Sequence, residues 1–309
     1  MKWACLSFII TLFVSSANAS DTIYSFRFRT DVTIIIDQSL ISKKRPTHII
    51  IYALPNGNTT AQTMGKKMQD GDDWHFDIQH IKAQTKFVRQ TDTNTNYIVA
   101  YLENDLKAWT NWTAKYAGQH LTKQVIDTIT SVIGIKKAGI HLNSHSGGGA
   151  FIFDLIKQEQ KLSKKIKRLT FIDSDYRYDS TYTDALVNFL KRSSSSQLTV
   201  FAYNDSIALL NGKPFVSPTG GTWYRTKLMV SHLASHIQLN HEQEGQMTTY
   251  TSTLKGKINI YLLDNPERAI LHTKQVELNG FIHSVFVNTR FENKGYTYFG
   301  KRAYDELIE

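Results

Sequence analysis

The sequence has a single cysteine, Cys5, among its 309 residues. Cys5 lies in a short apolar run, residues 5–14, that follows a positively charged start and precedes the small residues 17–19 (ANA). This order is typical of a secretory signal peptide cleaved after residue 19. We therefore expect a signal peptide over 1–19 and a secreted or periplasmic mature chain. Without Cys5, that chain offers no thiol nucleophile, no thiolate metal ligand and no disulfide.

Long runs of one residue type are also lacking. After residue 19 no apolar stretch approaches the roughly 20 residues of a membrane-spanning helix, so we expect no stable membrane span. The net charge of +9 comes from 36 basic and 27 acidic residues without a long Lys/Arg run. That surplus suits an anionic envelope or polysaccharide surface and does not indicate a nucleic-acid partner. With 41% hydrophobic residues and only 5 prolines, the composition is that of a folded globular chain.

Short apolar, β-branched runs alternate with longer amphipathic segments along the chain. The predicted strands are residues 33–37, 48–54, 97–102, 138–143, 168–173, 198–203 and 257–263. The predicted helices are residues 78–89, 120–133, 148–162 and 183–192. Nearly continuous apolar strands separated by helices indicate an α/β fold with a doubly wound, mostly parallel sheet covered on both faces.

The alternation lapses between residues 205 and 256, a segment rich in Gly, Thr and His. We interpret this segment as an insertion, resembling a cap, that precedes the last strand and lies over one end of the sheet. The rest of residues 20–309 is expected to form one domain.

A strand-to-helix turn carries the strongest chemical signal. Residues 144–149 (SHSGGG) follow an apolar strand and precede an apolar helix. In a nucleophile elbow, a tight turn of this kind exposes a serine and needs small residues two positions before and after it. Ser144 and Gly148 occupy those positions around Ser146, which gives S-x-S-x-G in place of G-x-S-x-G. A phosphate-binding loop is the alternative, but the Gly-Lys-Ser/Thr of a Walker loop is missing.

With this motif and strand order, the sequence resembles the α/β-hydrolase superfamily, specifically secreted esterase- and lipase-like serine hydrolases. The resemblance implies an α/β-hydrolase fold and a catalytic triad in the chain order Ser-acid-His. It also implies an oxyanion hole built partly by the loop after an early strand.

Two places can supply the acid. Asp205 follows the strand 198–203, where the family usually carries it, and is our preferred residue. Asp173 and Asp175 follow the strand before and remain alternatives. The histidine should follow the last predicted strand, where only His272 and His283 occur. We prefer His283 because a glycine-containing loop precedes it.

The oxyanion hole is assigned to backbone N–H groups of Gly147 and of the Asn56-Gly57 pair after the second predicted strand. The expected activity is hydrolysis of a small-molecule or envelope- or polysaccharide-linked ester through an acyl-serine, with no metal and no organic cofactor. An amide or peptide bond is the alternative target. A non-catalytic protein of the same fold that binds a glycan or a protein is the rival function. The oligomeric state is left open.

Overall fold

The computed structural model describes residues 21–253 and 256–309, and the predicted signal peptide lies outside these residues. The strands, in chain order, are β1 (Thr22–Phe28), β2 (Val32–Gln38), β3 (Thr47–Ala53), β4 (Asn96–Asn104), β5 (Gly139–His145), β6 (Ile166–Ile172), β7 (Gln197–Tyr203), β8 (Leu209–Leu210), β9 (Lys213–Pro214), β10 (Leu239–Glu244), β11 (Met247–Ser252) and β12 (Ile258–Leu263).

The helices are α1 (Thr60–Met64), α2 (Ile81–Thr91), α3 (Trp109–Lys115), α4 (Leu121–Ile133), α5 (Gly149–Glu159), α6 (Thr183–Lys191), α7 (Thr222–Ala234), α8 (Lys274–Glu277) and α9 (Gly280–Phe286). Short 3-10 turns occur at Trp74–Asp77, Ser146–Gly148, Ser180–Tyr182, Asp205–Ile207 and Asp305–Leu307. None of the helices that the structure describes is long and apolar enough to cross a bilayer.

Ten strands form one sheet in the order β1-β2-β4-β3-β5-β6-β7-β12-β11-β10. The six central strands, from β4 to β12 in that order, pair in parallel. At one edge β2 pairs antiparallel with β1 and β4, and at the other β11 pairs antiparallel with β12 and β10. The predicted doubly wound, mostly parallel sheet is confirmed.

Helices cover both faces of the sheet and give each face its own apolar core. One core contains side chains from α3, α4, α5, α6 and α7. The other contains side chains from α2, α8 and α9 and from the C-terminal segment. Central strands are therefore buried on both sides, which explains why their sequences are nearly continuously apolar.

The segment 205–256 differs from its predicted role as an insertion over one end of the sheet. Within it, α7 packs against β7 and β12 and serves as the crossover helix between these two parallel strands. The next two strands, β10 and β11, extend the sheet beyond β12. These residues mostly continue the α/β alternation, and only the two-residue strands β8 and β9 form a separate hairpin.

Candidate active site

The turn between β5 and α5 holds Ser146 in a strained backbone conformation. Its φ angle is +54°, in the left-handed region that non-glycine residues rarely occupy. The three glycines that follow are required by their neighbours. A Cβ on Gly147 would overlap the Asn56 side chain, and a Cβ on Gly148 would overlap the carbonyl oxygen of Ala53. The same holds for Gly149 against the carbonyl of Ser174. These close approaches are those of a nucleophile elbow.

Ser144 departs from the glycine usual at its position, and the structure shows how it is accommodated. Its Oγ lies 2.7 Å from Oγ of Ser174 and donates to the carbonyl of Thr170 at 3.2 Å. Both partners belong to β6 or to the loop that follows it. The hydroxyl therefore ties the elbow to the strand that precedes the acid.

Asp173 is the acid that the structure pairs with a histidine. It follows β6 with a φ of +45° and is fully buried. Its Oδ2 accepts a hydrogen bond from Nδ1 of His272, and its Oδ1 accepts one from Oγ1 of Thr222. Because Nδ1 faces a carboxylate, that nitrogen carries the proton and Nε2 of His272 carries the lone pair. Among the residues that the structure describes, neither this Nε2 nor Oγ of Ser146 has a hydrogen-bond partner.

His145, directly before Ser146, brings His272 to the elbow. The two rings are stacked, with centroids 4.7 Å apart and planes 28° from parallel. Nε2 of His145 donates to the main-chain carbonyl of His272 at 3.2 Å. Burial, followed by the nearby His272, holds the pKa of His145 well below its usual value, so this ring is neutral and its N–H is fixed on Nε2. Sequence reasoning missed this residue, although it occupies the variable position beside Ser146.

His283, the preferred base, is placed elsewhere. Its Nδ1 lies 3.0 Å from the hydroxyl of Tyr296, and its Nε2 lies 2.8 Å from the hydroxyl of Tyr261. Burial lowers the pKa of His283 to about 3. Both ring nitrogens are thus occupied in an aromatic cluster, and neither is left to accept a serine proton. The choice of His283 over His272 is corrected on this geometry.

Asp205, the preferred acid, has no hydrogen bond or ion pair with any histidine among the described residues. Its Oδ2 accepts the backbone N–H of Thr222 at 2.8 Å, at the first turn of α7, and Gly221 packs so closely that a Cβ there would overlap the carboxylate. Burial, with a further contribution from the charge of Asp173, raises the pKa of Asp205 to about 6. Asp205 therefore positions Thr222, which donates to Asp173, and the assignment of Asp205 as the triad acid is corrected.

Asp175, the other alternative acid, bonds to α7. Its Oδ2 accepts from Oγ1 of Thr226 at 2.8 Å. Burial raises the pKa of Asp175 to about 8, so at neutral pH its carboxyl is mostly protonated. A neutral acid bound to threonine cannot stabilise a histidine cation.

Of the proposed oxyanion residues, Gly147 and Asn56 lie at the elbow, whereas Gly57 uses its N–H in another hydrogen bond. Asn56 packs against Gly147, and its backbone N–H has no acceptor among the residues that the structure describes. Gly57 has a φ of +80°, and its N–H donates to the carbonyl of Lys107 at 2.8 Å. That hydrogen bond removes Gly57 as an oxyanion donor. It leaves Asn56, whose side chain packs against Gly147, as the remaining candidate in this loop.

No group of three or more His, Cys, Asp or Glu side chains suited to a metal ion occurs within residues 21–253 and 256–309. Ser146, Asp173 and His272 follow the carboxyl ends of the parallel strands β5, β6 and β12. The chain has an α/β-hydrolase fold. In such sheets, ligands bind at this edge.

No family model matches the sequence, and no curated protein is significantly similar to it. Among solved structures, a predicted CIB-like hydrolase from Thermoplasma acidophilum is 8% identical with a TM-score of 0.47, covering 87% of this chain and 98% of its own.

Poly(aspartic acid) hydrolase-1 from Sphingomonas sp. KT-1 is 11% identical with a TM-score of 0.48, covering 88% of this chain and 99% of its own. Siderophore hydrolase EstB from Aspergillus nidulans is 9% identical with a TM-score of 0.47, covering 89% and 97%. At these identities and TM-scores, the likenesses carry no information on what this chain acts on.

Proposed function

We propose that this chain is a serine hydrolase that cleaves a carboxylic ester through an acyl-serine, with Ser146, His272 and Asp173 as its triad. The observation that carries the proposal is the Asp173–His272 hydrogen bond beside a strained serine. Strained turns and buried carboxylates are costly, and they concentrate at functional sites. The chain order, serine then acid then histidine, is the one that the resemblance implies.

The proton path follows from the tautomer. Nε2 of His272 accepts the proton of Ser146 as its Oγ attacks the carbonyl carbon, and the resulting imidazolium is stabilised by Asp173. His272 then donates that proton to the leaving alcohol, which leaves an acyl group on Ser146. Water, deprotonated by the same nitrogen, releases the acid and restores the serine.

The negative charge that develops on the carbonyl oxygen needs fixed N–H donors. The backbone N–H groups of Gly147 and Asn56 fill this role in the proposal. A helix start leaves its first N–H groups without intrahelical acceptors, which favours an anion near Gly147. The packing of Asn56 against Gly147 supports the pairing of these two donors.

The remaining parts of the proposal rest on sequence. The signal peptide predicted over 1–19 supports secretion or a periplasmic location, and the basic surplus suits an ester linked to an envelope or polysaccharide. An ester is favoured over an amide because the resemblance is to esterases and lipases.

A fluorophosphonate probe, which labels activated serines, tests the triad directly. We expect the folded wild-type protein to be labelled at Ser146, with no labelling of Ser146→Ala and at least a hundredfold slower labelling of His272→Ala. Exposed His236, in the turn after α7, provides the matched control, since His236→Ala should label at the wild-type rate. Hydrolysis of chromogenic esters of rising acyl length, beside aminoacyl amides, then defines the substrate class.

Two outcomes contradict the proposal. Absence of labelling and of hydrolysis in the folded wild type would favour the rival, a non-catalytic binding protein. Equal labelling of wild type and His272→Ala would show that another group activates the serine.

A further inference from the structure

A second cavity opens at the opposite edge of the sheet from Ser146. Its volume is about 320 Å³, and its lining includes one residue from the first three positions of each of five parallel strands: His48, Tyr97, His141, Arg168 and Gln197. His141 precedes Ser146 by five residues along β5. At about 3.3 Å per residue, the cavity lies roughly 16 Å from the nucleophile. Nothing in the proposed ester hydrolysis uses it.

Arg168 supplies an incompletely paired cation to this cavity. Its Nη1 donates to the carbonyls of Ser284 and Val287, both at 3.1 Å. Its Nε and Nη2 have no acceptor within residues 21–253 and 256–309. Burial lowers the pKa of Arg168 to about 10, so the guanidinium remains charged at neutral pH. Three N–H groups of this half-buried cation thus face no acceptor among the described residues, and they are available to a ligand in the cavity.

Two neutral histidines flank the arginine. The rings of His48 and His141 lie 4.6 Å apart, and Gly139 makes room for the His48 ring because a Cβ there would crowd it. Burial, and then the charge of Arg168, lowers the pKa of His48 to about 4. His141 is only 5% exposed and makes no hydrogen bond to any described residue. Each neutral imidazole can donate one hydrogen bond to a ligand.

The nearest carboxylates do not neutralise this cluster. Asp92 accepts the hydroxyl of Tyr97 at 2.9 Å, and Glu292 accepts the backbone N–H of Asn288 at 2.8 Å. Neither forms an ion pair with Arg168 within the part of the chain that the structure describes. Lys167, which also lines the cavity, adds positive charge. The cavity is therefore electropositive.

The cavity is larger than a bare ion needs, so its size favours a larger ligand. Its volume is roughly ten times the ~30 Å³ that a water molecule occupies in the liquid, and it falls at the lower end of the ~300–1,000 Å³ of small-molecule sites. The ring pair and Val285 provide apolar surface beside the charged groups. We propose that this cavity binds a small organic anion, with its carboxylate or phosphate group on Arg168 and its organic part against the His48–His141 ring pair.

Calorimetric titration of the folded protein with phenyl phosphate and with benzoate tests the site and separates the two anionic groups. We expect saturable 1:1 binding of at least one probe. A guanidinium that binds an oxyanion through two N–H groups contributes strongly to affinity, so Arg168→Gln should weaken binding at least tenfold and Arg168→Lys should weaken it less. Lys164→Gln, which removes one exposed positive charge that is not part of the lining, should stay within twofold. Inorganic phosphate should bind more weakly than phenyl phosphate.

A second measurement does not depend on the fold of the arginine variants. In imidazole NMR spectra of the wild type, the bound probe should shift the signals of His48 and His141 and leave that of His272 unchanged. The proposal is overturned if neither probe binds saturably, if wild type and a folded Arg168→Gln bind equally, or if only His272 shifts. Equal affinity for inorganic phosphate and phenyl phosphate would likewise overturn the organic-anion assignment. Because no catalysis is measured, these outcomes are independent of the serine-hydrolase proposal.

Discussion

At the scale of single residues, the carboxylates at the carboxyl edge of the sheet are chemically alike in sequence but distinct in their contacts. Asp173 accepts from His272, whereas Asp205 accepts from the backbone of Thr222. Replacing Asp173 by asparagine removes the charge that keeps the proton of His272 on Nδ1, so this tautomer is no longer fixed. Replacing Asp205 by asparagine keeps a side-chain oxygen that can still accept from the backbone N–H of Thr222.

We therefore predict that Asp173→Asn lowers kcat/KM for a chromogenic ester by about 10³–10⁴-fold, as loss of a triad acid does. Asp205→Asn should lower it by less than about tenfold. Steady-state hydrolysis by the two folded variants, with circular dichroism as a check on folding, measures both. The reverse order of the two losses would return the acid role to Asp205.

A substitution at His283 tests whether this histidine or His272 acts as the base. His283→Gln removes one of two tyrosine hydrogen bonds in a buried cluster, so it should lower the free energy of unfolding by about 1–3 kcal/mol. Serine labelling by the fluorophosphonate should persist in this variant at temperatures where it is folded. Urea titration and labelling of the same preparation test the two parts. A folded His283→Gln protein that no longer labels would contradict the assignment of His272.

The sequence predicts Ser146 well because an elbow is a local structure with fixed spacing. The partners are not local, since they reach the serine through strand order and loop paths. His283 lies in the apolar run Phe281-Ile282-His283-Ser284-Val285-Phe286, whose members are all buried, and such a run indicates a histidine held in a core. That signal could have favoured His272. Nothing in the local sequence could have shown that the N–H of Gly57 donates to the carbonyl of Lys107.

At the scale of elements, the elbow depends on glycines that admit no side chain. Gly148→Ala would place a methyl group against the Ala53 carbonyl in a closely packed corner, so we predict a loss of more than about 3 kcal/mol in the free energy of unfolding or failure to fold. Gly118→Ala is the matched control, because a Cβ there meets open space. Its positive φ should cost only about 1–2 kcal/mol. Chemical denaturation of both variants gives the comparison, and similar losses would show that the corner can relax.

The strands that the sequence predicts and the elements that it misses differ in how continuously apolar their residues are. The seven predicted strands are buried on both faces or nearly so, which produces continuous apolar runs. Strand β1 has an alternating pattern. Strand β10 is a polar edge strand with mostly exposed residues, and β11 beside it is a polar strand whose residues are mostly half-buried. Helix α7 places Thr222, Thr226, Met229 and Leu233 at its buried positions, so half of its core-facing stripe is threonine. Apolar periodicity cannot find elements whose buried side chains are polar.

At the scale of the whole molecule, buried titratable groups shape how stability depends on pH. Burial lowers the pKa values of His48, His141, His145 and His283 below their usual value near 6.5. The unfolded chain therefore binds more protons than the folded protein at acidic pH, and these four groups make stability rise as pH increases to about 6.5. Above that pH both states hold them neutral, and their contribution becomes constant.

The contribution of Asp175 to the pH dependence of stability has the opposite sign and falls in a different pH range. The raised pKa of Asp175, about 8, means that the folded protein keeps a proton that the unfolded chain has lost above pH ~4. This contribution to stability falls as pH rises towards 8. Between pH 6.5 and 8 the contribution of the four histidines is constant, and Asp205 has already titrated near pH 6. Asp175 therefore dominates the pH dependence of stability in this range. We predict that the free energy of unfolding of the wild type falls across this window by up to about 1.4 kcal/mol per pH unit, the limit for one proton. Asp175→Asn, which cannot titrate and keeps an oxygen for Thr226, should show no such fall. Urea unfolding of both proteins at pH 6.5, 7.2 and 8 measures the slopes, and parallel slopes would mean that Asp175 is already ionised in the folded protein.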